Sequence, residues 1–111
     1  MANEYILLKP HDEAIGQIAL TKEAFELIAK FTLEDNEHIE LDSPTLRKAL
    51  VCKIIDNKLN ISLDIKVRYG QNVNTLTERL QKAIVSNISK MTDVKNCRVD
   101  ISVVGFIFGT H

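Results

Sequence analysis

Between Leu59 and Tyr69 the chain alternates without a break. Leu59, Ile61, Leu63, Ile65, Val67 and Tyr69 are apolar, and Asn60, Ser62, Asp64, Lys66 and Arg68 between them are polar. A strict period of two means a strand with one buried face and one wet face. That pattern favours an antiparallel sheet covered on one side. The rest of the chain must supply the cover.

Two segments can do so. Thr21 is a helix cap, and Lys22 to Thr32 places Phe25, Ile28, Ala29 and Thr32 on one face, with Ala24 and Phe31 beside them. Glu23 suits the positive end of the helix dipole, and Glu26 and Lys30 form a favourable i,i+4 pair. After Gly70, with Asn72 or Asn74 as cap, a second helix runs to about Met91. Its stripe is Val73, Leu76, Leu80, Ala83, Ile84, Ile88 and Met91.

Further strands fit around these. Glu4 to Lys9, ended by Pro10 and His11-Asp12-Glu13, and Ile15 to Leu20 read as a hairpin. Leu50 to Ile55 is a strand, and Asp56-Asn57 suits a tight turn into the alternating strand. Ser43-Pro44 reads as a cap and first helical residue of a short turn ending near Lys48. Arg98 to Phe108 is the last strand. The expected fold is α+β, a two-layer sandwich of a mainly antiparallel sheet with two helices on one face. Its order is βαββαβ-like, and a ferredoxin-like topology is the first candidate.

A length of 111 residues and an apolar fraction of 45% suit one globular domain, residues 1–111, with 1–14 as an N-terminal extension. The formal net charge is −1 and six residues are aromatic, none of them tryptophan, which disfavours a nucleic-acid module. No run approaches the roughly 20 apolar residues of a membrane helix, and the start does not read as a signal peptide. A cytoplasmic location is expected, with Cys52 and Cys97 as buried thiols.

No catalytic motif stands out. The four glycines (16, 70, 105, 109) are not at phosphate-loop spacing, and GxSxG and HExxH are missing. His38, Glu40 and Asp42 alternate and would project to one side of an extended backbone, where a metal site can be imagined, but the reading preferred is a solvated acidic loop with an incidental histidine. His11 and His111 read as surface and tail residues. No catalytic residue, metal or cofactor is expected.

Charge is unevenly placed. Glu34, Asp35, Glu37, Glu40 and Asp42 stand together with no basic residue among them. From Ser43 to Gly70, Arg47, Lys48, Lys53, Lys58, Lys66 and Arg68 outnumber Asp56 and Asp64. This is either an ordinary solvated surface or a steered contact, acidic loop to basic sheet. The last strand offers a second contact. If alternation persists, Val104, Phe106 and Phe108 lie on the wet face with Arg98 and Asp100, as an exposed apolar patch. A bend at Gly105 would instead turn them back to the core. The candidate contact residues are Val104, Phe106, Phe108, Lys66, Arg68 and Arg98.

Several of these segments resemble, in order, the alkaline-shock-protein family, the envelope stress response proteins of Gram-positive bacteria. Gly16-Gln-Ile18-Ala-Leu20-Thr21 with Ile28-Ala29 looks like the family's opening strand and helix. Leu59 to Tyr69-Gly70 is similar to its central strand. Leu80-Gln81 and Met91-Thr92 match its second helix, and Val99 to Gly105 its last strand. The resemblance covers about residues 16–105. The chain departs from the family's pattern in the acidic stretch after the first helix and in Thr92-Asp93, where Thr-Gly is usual.

The resemblance implies a non-enzymatic protein that self-associates beneath the cytoplasmic membrane, held by a small integral-membrane anchor protein. It also implies an alternative, an accessory protein binding an enzyme of fatty-acid activation or acetyl-CoA carboxylase. The expected partners are therefore a homo-oligomer, the anchor, and on the alternative a lipid-metabolism enzyme, with no nucleic acid. A nucleic-acid module ranks third.

Overall fold

The alternating segment forms the centre of the molecule. In the computed structural model, which describes residues 2–3, 5–8, 15–46 and 48–109, it is strand β6 (Lys58–Arg68). Before it come β1 (Ala2–Asn3), β2 (Tyr5–Leu8), β3 (Ile18–Thr21), α1 (Lys22–Glu34), β4 (Ile39–Leu41) and β5 (Leu50–Ile55). After it come α2 (Val73–Thr92) and β7 (Cys97–Ile107). The readings made on Pro10, His11, Arg47 and His111 lie outside the described residues.

Both edges of β6 are used. On one side β5 pairs antiparallel with its first half, Leu50 opposite Leu63, and β4 with its second half, Ile39 opposite Val67. On the other side β7 runs parallel along nearly its whole length. A parallel neighbour needs a crossover of a dozen residues or more, and α2 supplies it. β1 extends the sheet beyond β5, and β2 and β3 pair as a separate antiparallel hairpin.

The fold is α+β, as expected, but the ferredoxin-like arrangement is not the one formed. The strand before α1 belongs to the small hairpin, not to the main sheet, and the last strand lies parallel and adjacent to β6. β4 is an addition. Ile39 and Leu41 flank Glu40 in a three-residue strand within the acidic stretch. Among the described residues of 43–48 no helical turn forms. A cap and a proline only start a helix, and Thr45 and Leu46 after them are exposed, so no buried apolar face holds a short turn there.

The buried face of β6 carries Leu59, Ile61, Leu63, Ile65 and Val67, which join one core with both helices, α1 lying nearest β5 and β4 and α2 nearest β7. α1 contributes Phe25, Ala29, Thr32 and Leu33, and α2 contributes Leu76, Leu80, Ile84 and Ile88. Asn87 donates to the Thr32 hydroxyl at 2.8 Å, and that hydroxyl donates to Ile28 O at 2.7 Å, which ties the two helices together. The caps are as read for Thr21 and Asn72, whose side-chain oxygens accept from Ala24 N and Thr75 N. Asp56 and Asn57, both at positive φ, make the β5–β6 turn.

Three local expectations change. Phe31 and Met91 are exposed, and Leu33 and Thr92 occupy the neighbouring core positions instead. Thr92 lies one residue's rotation, about 100°, from Met91, and Leu33 two such steps from Phe31. Glu26 pairs with Lys48 at 3.2 Å, not with Lys30, because β5 brings Lys48 alongside α1.

Candidate contact surface

The far end of the β6–β7 ladder carries the molecule's densest exposed aromatic surface. The ladder is regular from Leu59 opposite Cys97 to Ile65 opposite Val103, and then Lys66 pairs with Gly105. Val104 is thus an extra residue, a bulge. Paired residues of neighbouring strands share a face. So beyond the bulge Phe106, opposite Val67, takes the parity of the helix-covered face, while the alternation of exposure expected through Phe108 continues. The bend does not bury the rings. Phe106 is 46% and Phe108 69% exposed.

What holds them is Tyr69. Its ring meets Phe106 edge-on with centroids 6.2 Å apart and Phe108 at 5.1 Å with a 30° tilt. Tyr69 continues the apolar alternation of β6, yet it is 67% exposed, because it lies one residue past the strand's end. Its place before Gly70, where β6 stops, is the signal in the sequence. Such pairs add about 0.5–1.5 kcal/mol beyond area burial, enough to order rings that the core does not cover.

The charged candidates lie on the opposite, wet face. Lys66 and Arg68 stand there on β6, and Arg98, opposite Asn60, on β7. Each has a partner: Lys66 forms an ion pair with Asp42 at 3.7 Å, Arg68 donates to Gly109 O at 3.3 Å and Arg98 pairs with Asp100 at 3.1 Å. Val104 is exposed at the bulge between the two groups. The six candidates therefore do not share one face of the sheet.

The acidic stretch meets the basic strand within the chain. Glu40 stands opposite Lys66 in the β4–β6 ladder, and Asp42 N–H donates to Asp64 O. His38, Glu40 and Asp42 do not converge. His38 gives its carbonyl to Arg68 N–H, and its Nδ1 is buried without a partner. Among the described residues no three His, Cys, Asp or Glu side chains gather as metal ligands. Cys52 is buried and Cys97 half-buried, both as free thiols. Burial pushes the Cys52 thiol up to about 12 and the Cys97 thiol to about 11.

A model of the alkaline-shock-protein family, described by a cell envelope-related function, matches residues 32–108. The chain belongs to the alkaline-shock-protein family. The matched residues run from the last turn of α1 through β4, β5, β6, α2 and β7 to Phe108, so they take in the whole aromatic end. This is the family that the sequence resembles, although the opening strand quoted for that resemblance precedes the match. Alkaline-shock proteins have a cell envelope-related function and are not a known enzyme family. No curated protein and no solved structure matches the chain. Among the described residues no helix is long and apolar enough to cross a membrane.

Proposed function

We propose that this alkaline-shock-family chain acts by contact: copies self-associate, and a small integral-membrane protein holds the assembly against the inner face of the cell membrane. The observation that supports this reading is the Tyr69–Phe106–Phe108 cluster. Three aromatic rings, each about half exposed or more, stand together at one end of the molecule. Contiguous apolar surface of this kind marks contact sites, and aromatic residues dominate the energetic centre of interfaces. The membrane anchor rests on the family alone.

Two measurements test the reading. In sedimentation velocity the wild type runs above monomer mass, and Phe106→Asp with Phe108→Asp lowers that mass with thermal stability nearly unchanged. A large loss of stability would assign the rings to the core. Crosslinking in native cells before and after membrane extraction should recover a small membrane protein with the chain. Recovery only as a free monomer overturns the proposal, and recovery of a fatty-acid-metabolism enzyme in its place favours an accessory role.

A further inference from the structure

The open edge of β7 is the feature that the aromatic cluster does not account for. Among the described residues β7 pairs only with β6, so its other side is an unpaired edge. In a parallel ladder alternate residues turn their backbone groups to the neighbour. Asn96 O accepts from Leu59 N–H, which sets the even-numbered residues up to the bulge toward β6. Cys97, Val99, Ile101 and Val103 therefore turn their N–H and C=O groups outward. Gln81 confirms the direction: its side-chain amide, from α2, donates to Val99 O at 3.0 Å. Proteins usually blunt such edges with proline, lysine or bulges. Here the bulge comes only at Val104, which leaves Cys97–Val103 a regular edge.

A groove of about 600 Å³ lies beside that edge, lined by Val85, Ser86 and Ser89 of α2 and by Val99. A strand added to β7 would place its inward side chains there. The question is which strand. Arg98 and Asp100 sit two apart on the wet face, 75% and 54% exposed at their side chains. They select among the registers in which two β7 edges can pair antiparallel. Outward residues must meet outward residues, so the register changes in steps of two. One step in one direction sets Arg98 against Arg98, and one step in the other sets Asp100 against Asp100. Between them lies a register centred on Val99. There Arg98 faces Asp100 of the second copy, Asp100 faces its Arg98, and Cys97 faces Ile101 on the helix side.

We propose that β7 pairs antiparallel with β7 of a second copy about a two-fold axis at Val99, making one continuous sheet across the dimer. This rests on the self-association reading and gives it a second surface of defined geometry. The intrachain Arg98–Asp100 pair is exposed and weak, so it exchanges readily for the two cross-strand pairs. Val99 O keeps a second lone pair for its new donor while Gln81 holds the first. The interface is isologous, the commonest symmetry of homo-oligomers.

Charge reversal tests the register. By sedimentation equilibrium Arg98→Asp alone, and Asp100→Arg alone, should weaken dimerisation roughly tenfold or more, since each sets like charges opposite one another twice per dimer. The double variant Arg98→Asp/Asp100→Arg should recover wild-type affinity. As a positive readout, mixed Arg98→Cys and Asp100→Cys chains should form a disulfide dimer under mild oxidation that neither forms alone. Wild-type dimerisation insensitive to both single reversals, or unrecovered in the double variant, overturns the edge pairing and leaves self-association standing. A monomeric wild type overturns both.

Discussion

Val103 and Gly105 pair with consecutive residues of β6, Ile65 and Lys66, and Val104 between them has no partner in that ladder. This one inserted residue decides which face Phe106 takes and so joins it to Tyr69. Gly105 follows the bulge, yet its φ is not positive, and a methyl group there would meet only the Lys66 side chain at 3.6 Å. The bulge therefore does not depend on glycine. Gly105→Ala should leave the fold intact and raise stability by up to about 0.5–1 kcal/mol, through the smaller entropy of the unfolded chain. Urea denaturation measures this, and a loss above about 1 kcal/mol would show that the bulge needs glycine.

The aromatic end and the core should separate cleanly by truncation. Phe106→Ala and Phe108→Ala remove rings that are about half exposed or more and should each cost about 1 kcal/mol or less. Leu63→Ala and Ile84→Ala empty sites that are at most 1% exposed and should each cost about 2–5 kcal/mol. Thermal and chemical unfolding of the four variants checks the contrast. Equal losses would mean that the cluster is part of the core.

The sequence pattern carried the fold furthest where one face is buried along a whole element. From Leu59 to Val67 each apolar residue is buried, because that whole face joins the core shared with both helices. The pattern misleads at Tyr69, where the alternation outlasts the cover. β4 was legible only in Ile39 and Leu41, and three residues among five carboxylates give too short a period to read. The parallel pairing of β6 with β7 is not written in either strand; it follows from the α2 crossover. The contact residues were found by their exposed apolar character, but their division between two faces depends on the bulge, which an unbroken run from Val99 to Val103 does not announce.

Helix α2 ends on a residue that strains the backbone. Asp93 caps it in the left-handed region, φ 61°, with its N–H donating to Ser89 O at 2.9 Å. A side chain is disfavoured there and glycine is not, which gives a physical reason for the Thr-Gly usual in the family at the position of Thr92-Asp93. Asp93→Gly should stabilise the protein by about 0.5–1 kcal/mol. Asp93→Val should destabilise it, since β-branched residues tolerate this region least. Urea denaturation of both variants checks the pair. A glycine variant less stable than wild type would mean that the Asp93 side chain makes a contact worth more than the strain.

The two thiols give a pH dependence with a defined sign. Burial raises both above the ordinary value of 9.0, to about 12 for Cys52 and about 11 for Cys97. For Cys52 the nearby Glu26 carboxylate adds to burial. A raised pKa means that the folded chain holds the neutral thiol while the unfolded chain ionises first. Their contribution to stability is thus fully present below about pH 9 and is lost as pH rises toward 11 and 12. Stability measured from about pH 8 to about pH 11 should fall, and Cys52→Ala should flatten the slope while lowering stability at the start of that range. Thiolate is the reactive form, so iodoacetamide at about pH 8 should label the native protein far more slowly than the unfolded chain, with Cys97 before Cys52. Rapid native labelling of Cys52 would show that β5 opens from the sheet.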